Sequence, residues 1–146
     1  MTARRIVISL LCLWMVFALA TYGSDESAKE KAAADATMPW LALVDSGQYG
    51  ESWLRGASFF RSAITKEQWT NAVRAARDPL GKVVSRQLKS ATYATKLPNA
   101  PAGEYVVLQY DTSFSNAPGM IETVTPMLDK DGKWKVSGYF IKHAGG

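Results

Sequence analysis

Residues 120–143, MIETVTPMLDKDGKWKVSGYFIKH, decide the fold of this chain. On both sides of Asp131-Gly132, Val, Ile, Thr and aromatic residues recur with a period of two, which indicates β-strands. Asp-Gly between two such runs is a strong hairpin signal, because a type I′ turn needs positive φ at both central positions. The stretch therefore predicts two antiparallel strands, residues 120–129 and 133–143, joined by a tight turn.

Two further strands are predicted upstream, at residues 82–95 and 104–114, where the period of two continues. Segments rich in Pro, Gly and Asn separate the strands at residues 97–103 and 115–119 and are typical of loops. Together the four segments predict an antiparallel meander.

Before Gly81 the apolar spacing is helical. Thr37 is a candidate N-cap with Pro39 in the first turn, and residues 49–62 form a second helical segment. Thr65 and Gln68 form a capping box that begins a third. Should the first helix begin earlier, Pro39 would kink it. The order predicts an α+β domain with about three N-terminal helices packed on one face of a curved four-stranded antiparallel sheet.

The first 20 residues are typical of a secretory signal peptide. Arg4 and Arg5 precede an uncharged apolar run that ends in small residues at Ala18 and Ala20, so cleavage after Ala20 is expected. The alternative is an uncleaved inner-membrane anchor formed by residues 6–20, although a spanning helix needs about 20 residues. We expect a periplasmic or secreted protein in which residues 21–36, small and Ala-rich, form a flexible or frayed helical tether and residues 37–143 form a single domain.

Composition excludes several classes of function. The chain of 146 residues carries 17 Lys+Arg and 13 Asp+Glu, but two of the basic residues are Arg4 and Arg5 of the leader. The other basic residues are scattered, so no nucleic-acid partner is expected. Cys12, the one cysteine, also lies in the leader, and there is one histidine, His143. No disulfide framework, metal site or cofactor is therefore predicted.

Strand parity selects the candidate site. Even-numbered positions of the second and fourth strands are apolar and should face the helices. By the same test two charged residues, Arg86 and Glu122, project into the apolar side of the sheet. The residues assigned to the inward face are Val84, Arg86, Leu88, Val106, Leu108, Tyr110, Phe114, Glu122, Val124, Leu128, Trp134, Val136 and Phe140.

Arg86 and Glu122 have two interpretations. With Tyr110 and Trp53 they could line a pocket that binds a small ligand, and Glu122 could act as a general base if burial raises its pKa. Alternatively they pair with each other, because an unpaired buried charge is costly. Tyr110, Asp111 and Tyr139 offer a phenol–carboxylate set for proton transfer, but a shared site would need a bulge, since Asp111 has the parity opposite to that of Tyr110.

Other candidates are expected to be ordinary structural residues. Arg74 and Arg77, one turn apart, should form a solvated helix face or rim, and His143 near the C-terminus should be solvated. The tryptophans outside the leader, at positions 40, 53, 69 and 134, could stack on ligands but are more typical of a core.

Short motifs recur along the chain in an order that resembles a known family. They are WLALVDSGQY at 40–49, TKEQW at 65–69, PLG at 79–81, SR at 85–86, GEY at 103–105, YDTSF at 110–114, ETV at 122–124 and DGKWKVSGY at 131–139. This succession resembles the exported bacterial proteins known only as domain of unknown function 4019. The resemblance implies a one-domain exported protein with no established activity or catalytic residues.

The order of helices followed by a meander is also similar to the nuclear-transport-factor-2-like and cystatin-like folds, whose curved, cone-like sheets often enclose a pocket. Two functional classes follow. The first is a non-catalytic accessory module that binds a small molecule or a protein. The alternative is a small pocket enzyme of isomerase, dehydratase or hydrolase type with Glu122 as acid/base. Pairing of two copies as a homodimer through an exposed sheet face is a further option. A membrane association is expected only through an uncleaved leader.

Overall fold

The computed structural model describes residues 9–146, with side chains from residue 23 onward, so the side chains of the predicted signal peptide lie outside the described residues. The helices are α1 (Ser9–Asp45), α2 (Tyr49–Leu54), α3 (Ser58–Ala63) and α4 (Lys66–Arg77), followed by a 3₁₀ turn at Asp78–Leu80. The strands are β1 (Val83–Ala94), β2 (Tyr105–Phe114), β3 (Ala117–Leu128) and β4 (Trp134–His143).

The strands form one antiparallel sheet in the order β1-β2-β3-β4, which confirms the predicted α+β meander. The hairpin between β3 and β4 is also confirmed, but its turn is not type I′. The Gly132 N–H donates to the Asp129 carbonyl at 2.9 Å, and Gly132 has φ of 77°. Asp131 keeps a negative φ and accepts a hydrogen bond from the Lys133 N–H at 3.1 Å. A tight turn that ends in a left-handed glycine produces the same reversal of the chain.

Helix α1 is longer than predicted. Thr37 does not cap a helix: it is fully buried inside α1, and its hydroxyl donates to the Ala33 carbonyl at 2.9 Å. Pro39 lies within the same helix. The segment expected to be a tether is helical, and Ala33 is fully buried. The Glu30 carboxylate accepts the Tyr93 N–H at 3.0 Å, so this part of α1 lies against β1.

The second predicted helix is divided into α2 and α3. The break falls near Gly56, where an added Cβ would lie 2.5 Å from the Phe60 ring. Ala57 then turns its N–H to the Val136 carbonyl of β4 at 2.8 Å. The capping box of α4 is confirmed: the Gln68 N–H donates to the Thr65 hydroxyl at 3.2 Å, and the Thr65 N–H donates to the Gln68 side chain at 3.0 Å.

Shifts in register change which face some residues occupy. Pairing of β3 with β4 shifts between Thr125 and Pro126, opposite Gly138 and Val136, so parity reverses along β4. The predicted inward position of Phe140 is therefore wrong: Phe140 is 59% exposed, and Tyr139 packs against the core instead.

Two residues of β1 also differ from their inward assignment, since Val84 is 69% and Leu88 49% exposed. Val84 lies at a shift in register, and β1 is an edge strand.

The core lies between the helices and one face of the sheet. In α1 the buried residues recur at helical spacing, and Trp69 and Val73 of α4 are one turn apart. Trp40, Phe60, Trp69 and Tyr139 form an aromatic cluster. Both buried indoles are satisfied by Ser52: Trp40 Nε1 donates to its carbonyl at 2.8 Å and Trp69 Nε1 to its hydroxyl at 2.9 Å.

Within the described part of the chain, no helix is both long and apolar enough to span a membrane.

Candidate functional site

Arg86 and Glu122 contact each other directly. Arg86 Nε donates to Glu122 Oε1 at 2.7 Å, and Arg86 Nη2 donates to Oε2 at 3.2 Å. The Glu122 side chain is fully buried and that of Arg86 is 9% exposed. Parity therefore located both residues correctly, and the two-point geometry is the one that guanidinium and carboxylate groups prefer.

Glu122 accepts two further hydrogen bonds. Thr112 Oγ1 donates to Oε1 at 2.7 Å, and the Tyr139 hydroxyl donates to Oε2 at 2.5 Å. Each carboxylate oxygen thus accepts two hydrogen bonds. Since an ionised carboxylate offers about four acceptor positions, the chain itself fills the acceptor capacity of Glu122.

Arg86 also binds a second carboxylate, at the end of α1. Its Nη1 donates to Asp45 Oδ2 at 2.7 Å and its Nη2 to Asp45 Oδ1 at 2.9 Å. Arg77, the last residue of α4, donates to Asp45 Oδ1 at 3.0 Å and to the Tyr139 hydroxyl at 3.2 Å. An acidic residue at a helix C-terminus is unfavourable by itself. The two guanidinium groups offset that cost at Asp45.

We refer to these side chains as the charged cluster. Its six members come from the C-terminal ends of α1 and α4 and from every strand of the sheet. They are Asp45, Arg77, Arg86, Thr112, Glu122 and Tyr139. The cluster therefore joins two helices to all four strands through hydrogen bonds and ion pairs.

The electrostatics of the cluster favour its charged arginines. Burial alone would lower the pKa of Arg86, but its bonds to Asp45 and Glu122 raise that pKa above the usual value. Burial would raise the pKa of Asp45, yet Arg86 and Arg77 hold it below its usual range. Burial and the Glu122 carboxylate raise the pKa of Tyr139, so this hydroxyl stays protonated and can donate.

Tyr110 and Trp53 complete the predicted ligand set, but they are placed differently. Tyr110 pairs in register with Glu122 across β2 and β3 and is 3% exposed. Its hydroxyl has no hydrogen-bond partner among the described residues, and burial raises its pKa. Trp53 donates its indole N–H to the Ile64 carbonyl at 2.8 Å and has no hydrogen bond to the described members of the cluster.

Arg77 contradicts the sequence prediction. It was expected on a solvated helix face, but it is 4% exposed and its guanidinium lies over the Phe114 ring, 4.8 Å from the centroid. The signal was available, because Arg77 follows Trp69 and Val73 at intervals of four residues on the apolar stripe of α4. Asp45 likewise follows Leu41 by four residues on α1.

The remaining candidates stay outside the cluster. Asp111 faces away from it and lies 3.5 Å from Lys89, with both side chains more than half exposed. The phenol that binds a carboxylate is that of Tyr139, and its partner is Glu122 rather than Asp111. His143 is exposed, as predicted. Among the side chains that the structure describes, from residue 23 onward, no group of three or more His, Cys, Asp or Glu is arranged to hold a metal ion.

The surface cavities lined by the described residues include two that contain no member of the charged cluster. One, of about 480 Å³, lies between α3, the loop before β2 and the end of β3. The other, of about 360 Å³, lies between α1, the end of α2 and the start of β4, where Trp40 and Trp134 line it. The second is called the indole groove below.

These features define an α+β domain with an open antiparallel sheet and a largely buried ion-pair cluster, in which the Asp45 side chain is 27% exposed. Residues 36–139 match the family described as Protein of unknown function (DUF4019), and the chain belongs to this family. The resemblance inferred from the motifs is thereby confirmed. No curated protein matches the chain, and no solved structure does. The likeness to nuclear-transport-factor-2-like and cystatin-like folds stays a prediction.

Proposed function

We propose that this protein is an exported, non-catalytic binding module whose charged cluster maintains the fold, while a small molecule or a protein binds elsewhere on its surface. One observation carries this proposal: all of the acceptor positions of Glu122 are occupied by Arg86, Thr112 and Tyr139. A general base must reach the proton that it removes from a substrate. Glu122 would first have to give up a bond inside the core.

Arg86 is similarly committed. Its Nε, Nη1 and Nη2 atoms all donate to Asp45 or Glu122, and so the guanidinium is neutralised by two carboxylates. A residue that stabilises developing charge in a substrate needs donors that point at the substrate. The geometry therefore supports a structural role for the pair, and we propose that binding takes place outside the charged cluster.

Export is proposed from the leader. Arg4 and Arg5 followed by the apolar run to Ala20 are typical of a signal peptide. The sequence has one cysteine, Cys12, and it lies within this leader. The chain after Ala20 therefore needs no redox control in an oxidising compartment. A periplasmic or secreted location, with inner-membrane anchoring as the alternative, is part of the same proposal.

Native mass spectrometry of the protein purified from the envelope fraction of its own host tests the proposal. We expect a chain that begins at Thr21 and carries a bound small molecule or a protein subunit. A cytosolic, full-length chain that carries nothing would overturn it. So would a bound molecule that wild-type protein converts to a product but Glu122→Gln protein does not, because that result would support the enzyme alternative.

A further inference from the structure

The indole groove has the size and position of a small-ligand site. Its volume is about 360 Å³, near the lower end of the roughly 300–1,000 Å³ found for ligand pockets. Trp40 and Pro39 of α1 form one wall, Trp134 and Lys135 of β4 form another, and Arg55 lies at the end of α2. Three separate elements thus supply its walls.

The polar side chains of the groove are all hydrogen-bond donors. They are the guanidinium of Arg55, the ammonium of Lys135 and the indole N–H groups of Trp40 and Trp134, and no lining side chain is an acceptor. The Trp40 N–H is already used by the Ser52 carbonyl. Such a lining is complementary to a ligand that has an apolar body and carries negative charge or acceptor oxygens.

Arg55 has hydrogen-bond donors to spare. Its Nε donates to Glu51 Oε1 at 2.9 Å, one turn back, while its Nη atoms have no partner in the part of the chain that the structure describes. The side chain is 71% exposed. A guanidinium that is bound only through Nε can still present its Nη groups to a carboxylate. Lys135 is less available, because Asp131 binds its ammonium at 2.7 Å.

Trp134 supplies the apolar surface. It is partly buried against the core, and its indole N–H has no hydrogen-bond partner within residues 23–146. An aromatic face next to a donor suits a planar ring that carries an acidic group. We propose that the indole groove binds a small planar carboxylate, with its ring on Trp134 and its carboxylate on the Nη atoms of Arg55. This inference rests on the proposed binding function and assigns it a site and a ligand class.

A titration of ¹⁵N-labelled protein with naphthalene-2-carboxylate tests the site, and naphthalene-2-methanol is the neutral probe of the same shape. We expect the carboxylate to shift the indole resonance of Trp134 at saturable concentrations. The alcohol should bind about tenfold more weakly or worse, because it lacks the charge-assisted hydrogen bond.

Variants locate the contact. Arg55→Gln should weaken carboxylate binding about tenfold, close to the affinity for the alcohol. Arg61→Gln is the matched control, since Arg61 is an exposed arginine of α3 without an ion pair among the described residues. Trp134→Phe should keep the fold and weaken binding of both probes.

The inference is overturned if both probes bind equally, if Arg55→Gln and Arg61→Gln behave alike, or if the Trp134 resonance does not shift. These results would leave the proposed binding function standing when a molecule still co-purifies with the protein from its host. The proposed binding function is tested separately, and it fails if native mass spectrometry of protein from its host shows no bound molecule.

Discussion

Arg86 and Glu122 join two strands that are not neighbours. Arg86 belongs to β1 and Glu122 to β3, and their two-point contact at 2.7 and 3.2 Å passes over β2. Thr112 of β2 pairs in register with Arg86 and donates to Glu122 at 2.7 Å. The ion pair therefore acts across the sheet, and Asp45 extends it to α1.

The two tyrosines near Glu122 should respond differently to loss of the hydroxyl. Tyr139→Phe removes a donor to Glu122 and an acceptor for Arg77, and should lower the free energy of unfolding by about 1.5–3 kcal/mol. Tyr110→Phe removes a buried hydroxyl that has no partner among the described residues, and should be neutral or stabilise by about 1 kcal/mol. Urea denaturation measures both. A cost above about 1 kcal/mol for Tyr110→Phe would show that its hydroxyl has a partner.

Asp129 should make stability depend on acidity. Burial would raise its pKa, but hydrogen bonds from the Lys130 and Ser58 N–H groups, the Ser58 hydroxyl and Lys135 lower it to about 2. Because the pKa of Asp129 is lower in the folded protein than in the unfolded chain, its ionised carboxylate stabilises the fold at pH values above the unfolded pKa of 3.8. This contribution is lost as the pH falls toward 2.

Denaturation between pH 2 and 7 tests this assignment. We expect Asp129→Asn to lower stability at neutral pH by about 2 kcal/mol and to flatten the acid limb of the stability curve. Asp131→Asn is the control, because Asp131 is 46% exposed and its ion pair is screened by solvent. Equal effects of the two changes would contradict the buried role of Asp129.

Gly81 connects the helices to the sheet and should resist substitution. It has φ of 79° and ψ of −155°, a conformation that only glycine adopts readily, and an added Cβ would lie 2.1 Å from the Ser115 hydroxyl. Gly119 also has positive φ, 68°, but its Cβ would meet nothing within 4 Å.

Thermal and urea unfolding should separate the two glycines. Gly81→Ala should cost about 2 kcal/mol or more and Gly119→Ala about 1 kcal/mol, the conformational part alone. Adding Ser115→Ala should restore part of the loss at Gly81 and none at Gly119. Similar losses at both positions would contradict the contact with Ser115.

Local signals in the sequence predicted much of the fold. The capping box at Thr65 and the reversal at Asp131-Gly132 depend on neighbouring residues alone, and both are present. Phe140 was misplaced because parity counting assumes an unbroken ladder, whereas the register of β4 shifts. The burial of Ala33, within the segment expected to be a flexible or frayed helical tether, was not predicted, because such a small side chain is buried only when a particular sheet lies beside it.

The candidate site was predicted only in part, because some of its contacts are set by tertiary packing and not by local sequence. Parity along β1 and β3 identified Arg86 and Glu122, but their partners Asp45 and Arg77 come from the ends of two helices. Which helix end meets which strand is decided by tertiary packing. Strand periodicity therefore could not predict that every acceptor position of Glu122 is filled. This fact decides between a ligand pocket and a structural ion pair.

A double-mutant cycle on Arg86→Met and Glu122→Gln tests the central claim most directly. Arg86→Met leaves the buried Glu122 carboxylate without its cation and should lower the free energy of unfolding by about 3–5 kcal/mol, enough to unfold a marginal domain. Glu122→Gln leaves Arg86 bound to Asp45, so it should cost less, about 1–3 kcal/mol. The double variant should lose less than the sum, by a coupling energy of about 1–3 kcal/mol, and should stay folded where Arg86→Met alone does not. Single variants with near wild-type stability, or strictly additive losses, would contradict a structural ion pair and favour a role for Glu122 in chemistry.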